Sequence, residues 1–293
     1  MKGLIVKAIS GFYYIKTDNT VYECKARGFF RKSGLSPLTG DYAEFETLGN
    51  GKGVITKIEK RKNLLSRPPI SNVDKAVIVS SYCTPAPNTL LIDTLVSICE
   101  YSGIIPVIVF NKSDLGDFSY WQNLYEKVGY KVVVTSAETG DGIDEIIAEL
   151  KDNITVFTGN SGVGKSSIIN RILPHLNLKT GEISEKLGRG RHTTRHTELF
   201  EINGGHIADT AGFSSIEADK TDYDYKESLA DTFKEFREFS PLCRFTGCSH
   251  IGEKGCAVCK AVQDGIIASE RHKSYVSLFN ELKDLKRWET SKK

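Results

Sequence analysis

Short runs of alternating apolar and polar residues fill about the first 65 positions of the chain, and turn signals such as Ser10-Gly11 separate them. The pattern predicts five strands: Leu4–Ile9, Phe12–Thr17, Thr20–Ala26, Asp41–Glu46 and Val54–Ile58. Five short strands in one small segment indicate a β-barrel. An OB-fold is favoured because it is a five-stranded barrel that often binds oligonucleotides, and an SH3-like barrel is the alternative that the pattern leaves open.

From Val73 onward the pattern changes to buried strands that alternate with helices. The predicted strands are Ala76–Ser80, Ile105–Phe110, Lys131–Thr135 and Ile154–Thr158, and the predicted helices are Asn88–Tyr101, Ser119–Val128 and Gly142–Leu150. This alternation is typical of a parallel, doubly wound α/β sheet. Arg67-Pro68-Pro69 predicts a stiff joint in front of the sheet. Beyond about Ile216 the chain is predicted to be helical, with a last amphipathic stretch from Ile266 to Trp288.

These patterns predict three domains: a barrel over residues 1–66, an α/β domain over 67–216 and a helical domain over 217–293. Of the 293 residues, 40% are hydrophobic and 26% charged, which is typical of globular proteins. No apolar run reaches about 18 residues, and Lys7 precedes any signal-peptide core. We therefore expect a cytoplasmic monomer with no membrane partner.

Positive charge is concentrated at the N-terminus, although the whole chain carries only +2. Residues 1–67 hold 13 Lys and Arg against 6 Asp and Glu, whereas the rest of the chain holds 26 against 31. A basic barrel on a mildly acidic protein indicates a polyanionic partner such as RNA. A solvated, lysine-rich surface is the alternative explanation.

A phosphate-binding loop is the strongest chemical signal in the chain. Directly after the strand that ends at Thr158 comes a complete GxxxxGK[ST] motif, Gly159-Asn160-Ser161-Gly162-Val163-Gly164-Lys165-Ser166. Backbone N–H groups of such a loop surround the phosphates, and the helix that begins here with Lys165, Ser166 and Ser167 adds its positive end. Lys165 is predicted to bridge the β- and γ-phosphates, and Ser166 to bind Mg²⁺.

Two shorter motifs predict a guanine site. The NKxD sequence Asn111-Lys112-Ser113-Asp114 follows the strand Ile105–Phe110, at the sheet edge where open α/β folds bind ligands. The carboxylate of Asp114 is complementary to the N1–H and the amine of guanine, a pair of donors that adenine lacks. Main-chain groups at Ser136-Ala137, after the next strand, are predicted to contact guanine O6.

Two segments after the phosphate loop predict contacts to Mg²⁺ and to the γ-phosphate. The loop Gly188–His196 is glycine-rich and basic, and Thr193 or Thr194 is predicted to supply a Mg²⁺ ligand, with Thr194 chosen. The DxxG sequence Asp209-Thr210-Ala211-Gly212 places Asp209 near Mg²⁺ and the Gly212 amide near the γ-phosphate. A surface loop without nucleotide contact is the alternative for the first segment.

The group that activates the attacking water is not the usual one. Phe213 follows DxxG, where many GTPases have a glutamine that orients water. An apolar ring cannot do so, and His192 in the basic loop is the candidate replacement, because imidazole can hold or deprotonate water near neutral pH. A surface or RNA-contacting histidine is the alternative role for His192.

The order of these motifs is permuted. Ordinary small GTPases run from phosphate loop through DxxG to NKxD and Ser-Ala, whereas here NKxD and Ser136-Ala137 precede the phosphate loop and DxxG. The chain therefore predicts a circularly permuted GTPase that uses GTP, GDP and Mg²⁺.

Four of the seven cysteines crowd into the C-terminal region. The spacing Cys243-x₄-Cys248-x-His250-x₅-Cys256 fits a closed tetrahedral site for one structural Zn²⁺. Cys259 is close enough in sequence to compete as the fourth ligand. Buried cysteines without a metal are the alternative.

The combination of an OB-like barrel, a permuted GTPase and this zinc motif resembles the bacterial ribosome-small-subunit-dependent GTPase A family over essentially the whole chain. The resemblance implies a late-acting factor that binds the small ribosomal subunit and its rRNA, hydrolyses GTP when docked and then dissociates. The chain departs from the family at Ala211, where Asp-Thr-Pro-Gly has proline, and in its spare thiol, Cys259. An RNA-binding module that uses GTP only as a conformational ligand is the second hypothesis.

Overall fold

The computed structural model describes residues 1–18, 20–32, 35–66, 69–83, 85–176, 197–210 and 223–284. Within these ranges, no helix is both long enough and apolar enough to cross a membrane.

The N-terminal region is a closed five-stranded barrel. Its elements are β1 (Lys2–Ile9), β2 (Phe12–Lys16), β3 (Val21–Ala26), the short helix α1 (Phe29–Lys32), β4 (Tyr42–Gly49) and β5 (Lys52–Ile58). The strands pair in the order β1-β2-β3-β5-β4 and close through a β4–β1 pair, with β3 and β5 parallel. This is the strand order of an OB-fold, so the favoured prediction is confirmed over the SH3-like alternative. Inward-facing side chains such as Ile5, Ile15 and Phe45 form the barrel core.

The central region is an α/β sheet whose strands are β8 (Lys75–Ser81), β9 (Ile105–Asn111), β10 (Lys131–Val134), β11 (Ile154–Thr158), β12 (Thr197–Ile202) and β13 (Gly205–Thr210). Five of them run parallel in the order β10-β9-β8-β11-β13, and β12 is antiparallel to β13. The predicted parallel sheet is confirmed. The sequence did not predict that the strands on either side of Arg67-Pro68 pair with each other. Strands β6 (Leu64–Ser66) and β7 (Pro69–Ser71) form a small antiparallel hairpin. Arg67 and Pro68 themselves lie outside the described residues.

Helices cover both faces of this sheet, as a doubly wound fold requires. They are α2 (Thr89–Ser102), α3 (Ser119–Glu126), α4 (Ile143–Leu150) and α5 (Lys165–Ile172). Helices α2 and α3 pack in one hydrophobic core, and α4 and α5 in the other. Successive residues of β8, such as Val77 and Ile78, contribute to opposite cores because side chains alternate along a strand.

Among the described residues, the barrel and the α/β sheet form one continuous sheet of 11 strands. The junction is an antiparallel contact between β1 and β12, at Lys7 and Glu198, whose side chains also form a 2.7 Å ion pair. Beside it, Thr39 Oγ1 donates to the carbonyl of Thr197 at 3.0 Å. The barrel is therefore hydrogen-bonded to the strand that follows the predicted basic loop.

The C-terminal region is helical, as predicted, and packs on the α2–α3 face of the sheet. Its helices are α6 (Tyr223–Ser228), α7 (Ala257–Gln263) and α8 (Ser269–Leu282), with short 3₁₀ turns between α6 and α7. Arg271 of α8 is buried, and it donates to Asp93 of α2 at 2.5 Å and to Glu235 at 2.7 Å. Tyr125 of α3 donates to the same Asp93 carboxylate at 2.9 Å. A buried, hydrogen-bonded ion pair thus joins α8 to α2, the helix that packs on this face of the sheet.

Candidate functional site

The phosphate loop occupies the strand–loop–helix context that its sequence predicts. It connects β11 to α5, and Gly159, Gly162 and Gly164 have φ values of 132°, 81° and 94°. These values lie in the region that favours glycine, because a Cβ atom makes that backbone strained. The loop therefore curls back before α5 begins at Lys165, with Asn160, Ser161 and Val163 between the glycines and Ser166 and Ser167 in the first turn.

Two of these glycines are also needed for close packing. A Cβ at Gly159 would lie 2.1 Å from the carbonyl oxygen of Val79, and one at Gly164 would lie 2.1 Å from Nδ2 of Asn111. Both distances are far below van der Waals contact. The loop can sit against β8 and against the NKxD asparagine only because these positions lack a side chain.

The side chain of Lys165 folds back onto the first two residues of the loop. Its Nζ donates to the carbonyl oxygens of Gly159 and Asn160, both at 2.6 Å. Burial lowers the pKa of the Lys165 ammonium to about 8. Phosphate oxygens at this place would stabilise the charged form, so the lysine is positioned to bind an anion.

Asn111 joins the phosphate loop to the loop after β10. Its buried side chain donates through Nδ2 to the carbonyl of Val163 at 2.9 Å, and its Oδ1 accepts from the Ala137 amide at 3.0 Å. Two motifs that lie on opposite sides of β11 in the sequence therefore meet at one amide side chain. This contact places the predicted base site next to the predicted phosphate site.

Asp114 is exposed at the same edge of the sheet, in a 3₁₀ turn formed by Ser113–Leu115. Lys112 begins this turn with a φ of 67°, and the Ser113 amide donates to the carbonyl of Thr135 at 3.1 Å. The Ser136 hydroxyl donates to Oδ1 of Asp114. The turn is thus fixed to the segment that directly follows β10, and the carboxylate keeps further capacity to accept hydrogen bonds from a base.

The C-terminal region brings Cys243, Cys248, His250 and Cys256 together, with one donor atom from each within 4.8 Å of the others. Nδ1 of His250 lies 3.6 Å from Sγ of Cys243 and 3.5 Å from Sγ of Cys256, and the two sulfurs are 3.9 Å apart. Zn–S bonds of about 2.3 Å in a tetrahedron require sulfur separations of about 3.8 Å. The donor set and its spacing therefore fit a tetrahedral metal ion.

Surrounding groups support these four donors. Nε2 of His250 is 3.2 Å from the Ser240 hydroxyl, a contact that leaves Nδ1 free as a ligand. Backbone amides of Ala257 and Cys259 donate to the sulfurs of Cys243 and Cys256 at 3.3 and 3.4 Å, which favours thiolates. The Cys259 thiol is not one of the four and donates to the carbonyl of His250 at 3.5 Å.

The sequence matches two protein-family descriptions, RsgA GTPase over residues 58–219 and RsgA N-terminal domain over residues 2–55. A "Small ribosomal subunit biogenesis GTPase RsgA" from Caldanaerobacter subterraneus subsp. tengcongensis is 47% identical over 288 residues, covering 97% of this chain and 96% of that protein. Its namesake from Bacillus subtilis is 44% identical over 296 residues, covering 97% and 98%.

This chain belongs to the RsgA GTPase family. Two solved structures agree with its fold. YloQ, described as a circularly permuted GTPase, superposes with a TM-score of 0.82 at 38% identity, covering 97% of this chain and 96% of YloQ. YjeQ from Thermotoga maritima gives 0.82 at 34% identity, covering 97% and 99%. The predicted resemblance and the permuted GTPase fold are confirmed, and the chain is a GTP hydrolase whose family implies guanine nucleotide and Mg²⁺.

Four residues predicted to act in this RsgA-family GTPase lie outside the described residues: His192, Thr193, Thr194 and Gly212. Ala211 and Phe213, which were noted for departing from the usual motifs, lie outside them too. The backbone of Asp209 is described, in β13 opposite Glu198 of β12. Since β13 runs parallel to β11, both strands end at the edge that carries the phosphate loop. The roles of Asp209 and of the residues outside the described ranges stay predictions.

One contact at the RsgA-family site was missed by sequence reasoning. Arg171 of α5 donates to two carbonyls of the loop that follows β10, Ala137 and Glu138. No motif in the sequence indicates this, because the partners are 34 and 33 residues away and are main-chain atoms.

Proposed function

We propose that this RsgA-family GTPase binds the small ribosomal subunit, assists its late maturation, hydrolyses GTP when docked and then dissociates. The observation that carries the proposal is the Asn111 side chain, which binds the phosphate loop at Val163 and the base-side loop at Ala137. This contact brings the base-side and phosphate-side motifs together although they occur in permuted order, which supports a nucleotide site at this edge of the sheet. Relatives that align over almost the whole chain are named for small-subunit biogenesis.

We assign the nucleotide contacts as follows. Guanine is recognised by Asn111, Lys112, Asp114, Ser136 and Ala137. The phosphates and Mg²⁺ are bound by Gly159, Asn160, Ser161, Gly162, Val163, Gly164, Lys165, Ser166, Ser167, Thr193, Thr194, Asp209 and Gly212, with Ser166 and Thr194 as Mg²⁺ ligands. The proposed catalytic residues are His192, which activates water, and Lys165, which bridges the β- and γ-phosphates. When bound, Mg²⁺ neutralises charge on the β- and γ-phosphates.

The basic barrel is the proposed rRNA-binding part of a three-domain cytoplasmic monomer, with boundaries 1–66, 67–216 and 217–293. Lys25 and Lys52 lie on the neighbouring strands β3 and β5, and both are exposed. Such cations release counterions when they contact phosphates, so each contact adds to the salt dependence of binding.

Sedimentation with purified small subunits tests the proposal. The chain loaded with a non-hydrolysable GTP analogue is expected to bind small subunits more tightly than large subunits and more tightly than when loaded with GDP, because γ-phosphate contacts order switch segments. Equal affinity for the two subunits, or for the two nucleotide states, would contradict the proposed GTP-dependent docking. Lys25→Ala/Lys52→Ala should reduce the slope of log affinity against log salt by about two. Lys127→Ala/Lys151→Ala, which removes two exposed lysines outside the barrel, is the control.

We further propose that the metal held by Cys243, Cys248, His250 and Cys256 is one structural Zn²⁺. Three thiolates and one imidazole are preferred zinc ligands, and four protein ligands leave no open position for a substrate. The ligands come from the loops between Phe239 and α7, where the described segments between Cys243 and Cys256 contain no helix or strand. The metal would therefore add to the packing of Cys243, Cys248 and Cys256 against the hydrophobic core in holding this region together.

Zinc content is expected to be close to one equivalent per chain. Cys256→Ser should lose zinc and expose the C-terminal region to proteolysis, because ligand loss removes binding energy that stabilises the fold. Cys259→Ser is the matched control and should retain zinc, since the Cys259 thiol donates to the carbonyl of His250 and its sulfur is not among the four grouped donor atoms. Elemental analysis after anaerobic purification measures both. Retention by Cys256→Ser together with loss by Cys259→Ser would overturn the ligand assignment.

A further inference from the structure

Arg171 makes a two-point contact with the base-side loop. It is in the last turn of α5, the helix that begins at the phosphate loop. Its Nε donates to the carbonyl of Ala137 at 2.9 Å, and its Nη2 donates to the carbonyl of Glu138 at 2.6 Å. A guanidinium presents several N–H donors in one plane, so a single side chain can hold two successive carbonyls.

The contact completes a closed series of links between the phosphate loop, the base-side loop and α5. Asn111 links Val163 of the phosphate loop to the amide of Ala137, and Arg171 links α5 to the carbonyl of that same residue. Helix α5 then leads back to the phosphate loop. The Ala137 residue is therefore held from both sides, by Asn111 at its N–H and by Arg171 at its C=O.

Holding these carbonyls also fixes the direction of the neighbouring amides. Each peptide unit is planar, so a carbonyl that is held at Ala137 orients the N–H of Glu138 on the opposite side of the bond. Hydrogen bonds within the loop act on other atoms, such as Ser136 N to Asp141 O at 3.0 Å and Gly140 N to Ser136 O at 2.8 Å. Within the described residues, Arg171 is the side chain from another element that hydrogen-bonds the carbonyls of Ala137 and Glu138.

We propose that Arg171 is a positioning residue for guanine selection: because Asn111 takes the Ala137 N–H, Arg171 holds the Ala137–Glu138 peptide so that the Glu138 N–H faces the guanine O6. The inference rests on the proposed guanine site at Asp114 and Ala137. The hydrogen bonds of Arg171 reach the base-side loop and none of the proposed phosphate ligands. Arg171 therefore affects nucleotide affinity and base choice, and leaves the hydrolytic step of bound GTP unchanged.

The consequence differs between nucleotides with and without O6. Arg171→Ala releases the loop, and the loss of a positioned hydrogen bond should weaken GDP binding by about tenfold. A diphosphate of 2-aminopurine riboside has no O6 to contact, so the same substitution should weaken its binding by less than about threefold. Arg171→Lys should fall between Arg171→Ala and wild type, because an ammonium can reach one carbonyl but lacks the planar fork.

Competition against a fluorescent GDP measures these affinities for wild type and each variant of the full chain. Arg237→Ala is the matched control: Arg237 is also exposed and also donates to a main-chain carbonyl, that of Asp231, but in the C-terminal region. It should bind both nucleotides like wild type. Hydrolysis at saturating GTP should be equal in Arg171→Ala and wild type, and thermal melting of the apo proteins checks that Arg171→Ala remains folded.

A GDP affinity of Arg171→Ala within about twofold of wild type would overturn the proposal. Equal weakening for the two nucleotides would also overturn it, since that result means that Arg171 supports the fold rather than the O6 contact. Asp114→Ala, measured in parallel, distinguishes a failure of the proposed guanine site from a failure of the role proposed for Arg171. If Asp114→Ala binds GDP normally, the proposed guanine site is wrong; if it binds weakly while Arg171→Ala is normal, only the role of Arg171 is wrong.

Discussion

Asp114→Ala is expected to weaken GTP binding by tens of fold or more, because losing the pair of hydrogen bonds between the charged carboxylate and the base costs about 2–3 kcal/mol in total. The structure places this carboxylate at the same edge of the sheet as the phosphate loop, fixed by the Ser136 hydroxyl and by a turn that is hydrogen-bonded to Thr135, directly after β10. Isothermal titration with GTP and ATP measures the effect. Wild type should bind GTP and not ATP.

Asp114→Asn provides a sharper version of this test. An amide can donate a hydrogen bond where the carboxylate only accepts, so the variant should lose GTP and gain xanthosine triphosphate, whose C2 carbonyl replaces the guanine amine. Glu126→Ala is the control, since Glu126 is an exposed acid of α3 whose side chain accepts from Gln122. Normal GTP binding by Asp114→Ala, or ATP binding by wild type as tight as GTP binding, would show that Asp114 does not select the base.

His192→Ala is expected to abolish most of the hydrolysis that small subunits stimulate, and to leave GTP binding unchanged. Phe213 occupies the place of the usual water-orienting glutamine, so free protein should turn over slowly. Ordering of a catalytic group by a partner raises turnover by about 10³–10⁵ in other GTPases, and we expect docking to act on His192 in this way. Single-turnover hydrolysis of radiolabelled GTP, with and without small subunits, measures the effect.

A second histidine serves as the control for this experiment. His175 is exposed after α5 and is assigned no contact with the nucleotide, so His175→Ala should be stimulated like wild type. If His192→Ala is stimulated as strongly as wild type, His192 has no part in the reaction. If it fails to bind GTP, its role is in binding and not in activation of water.

The sequence predicted elements whose signals are local. The apolar run Ile154–Thr158 before a complete phosphate-loop motif predicted β11, the loop and the start of α5, and the structure has all three. Helix α2 is another case: the side chain of Asn88 accepts from the Leu91 amide, and Gly103 ends the helix at a φ of 67°. Such caps can be recognised from a few neighbouring residues.

Contacts between distant segments could not be predicted in the same way. The β1–β12 pair joins residues 7 and 198, and the Arg271–Asp93 ion pair joins residues 178 apart. Neither leaves a periodic pattern, because each depends on where two independently formed elements meet. The contacts of Arg171 add a second reason, since main-chain carbonyls carry no residue identity that a sequence could display.

The zinc ligands show which part of a metal site the spacing of cysteines and histidines can predict. Cysteine and histidine spacing predicted Cys243, Cys248, His250 and Cys256, and these are the four whose donor atoms the fold brings together. Spacing left Cys259 as a competitor. The structure distinguishes Cys256 from Cys259. Cys256 is the N-cap of α7, and its sulfur accepts a hydrogen bond from the Cys259 amide.

The rate of GTP hydrolysis in the presence of purified small subunits, compared with the rate for free protein and with large subunits, tests the central claim most directly. A GTPase that acts on the small subunit should be stimulated by about 10³-fold or more by small subunits and little by large ones. Turnover that is the same with small subunits, with large subunits and with neither would contradict it.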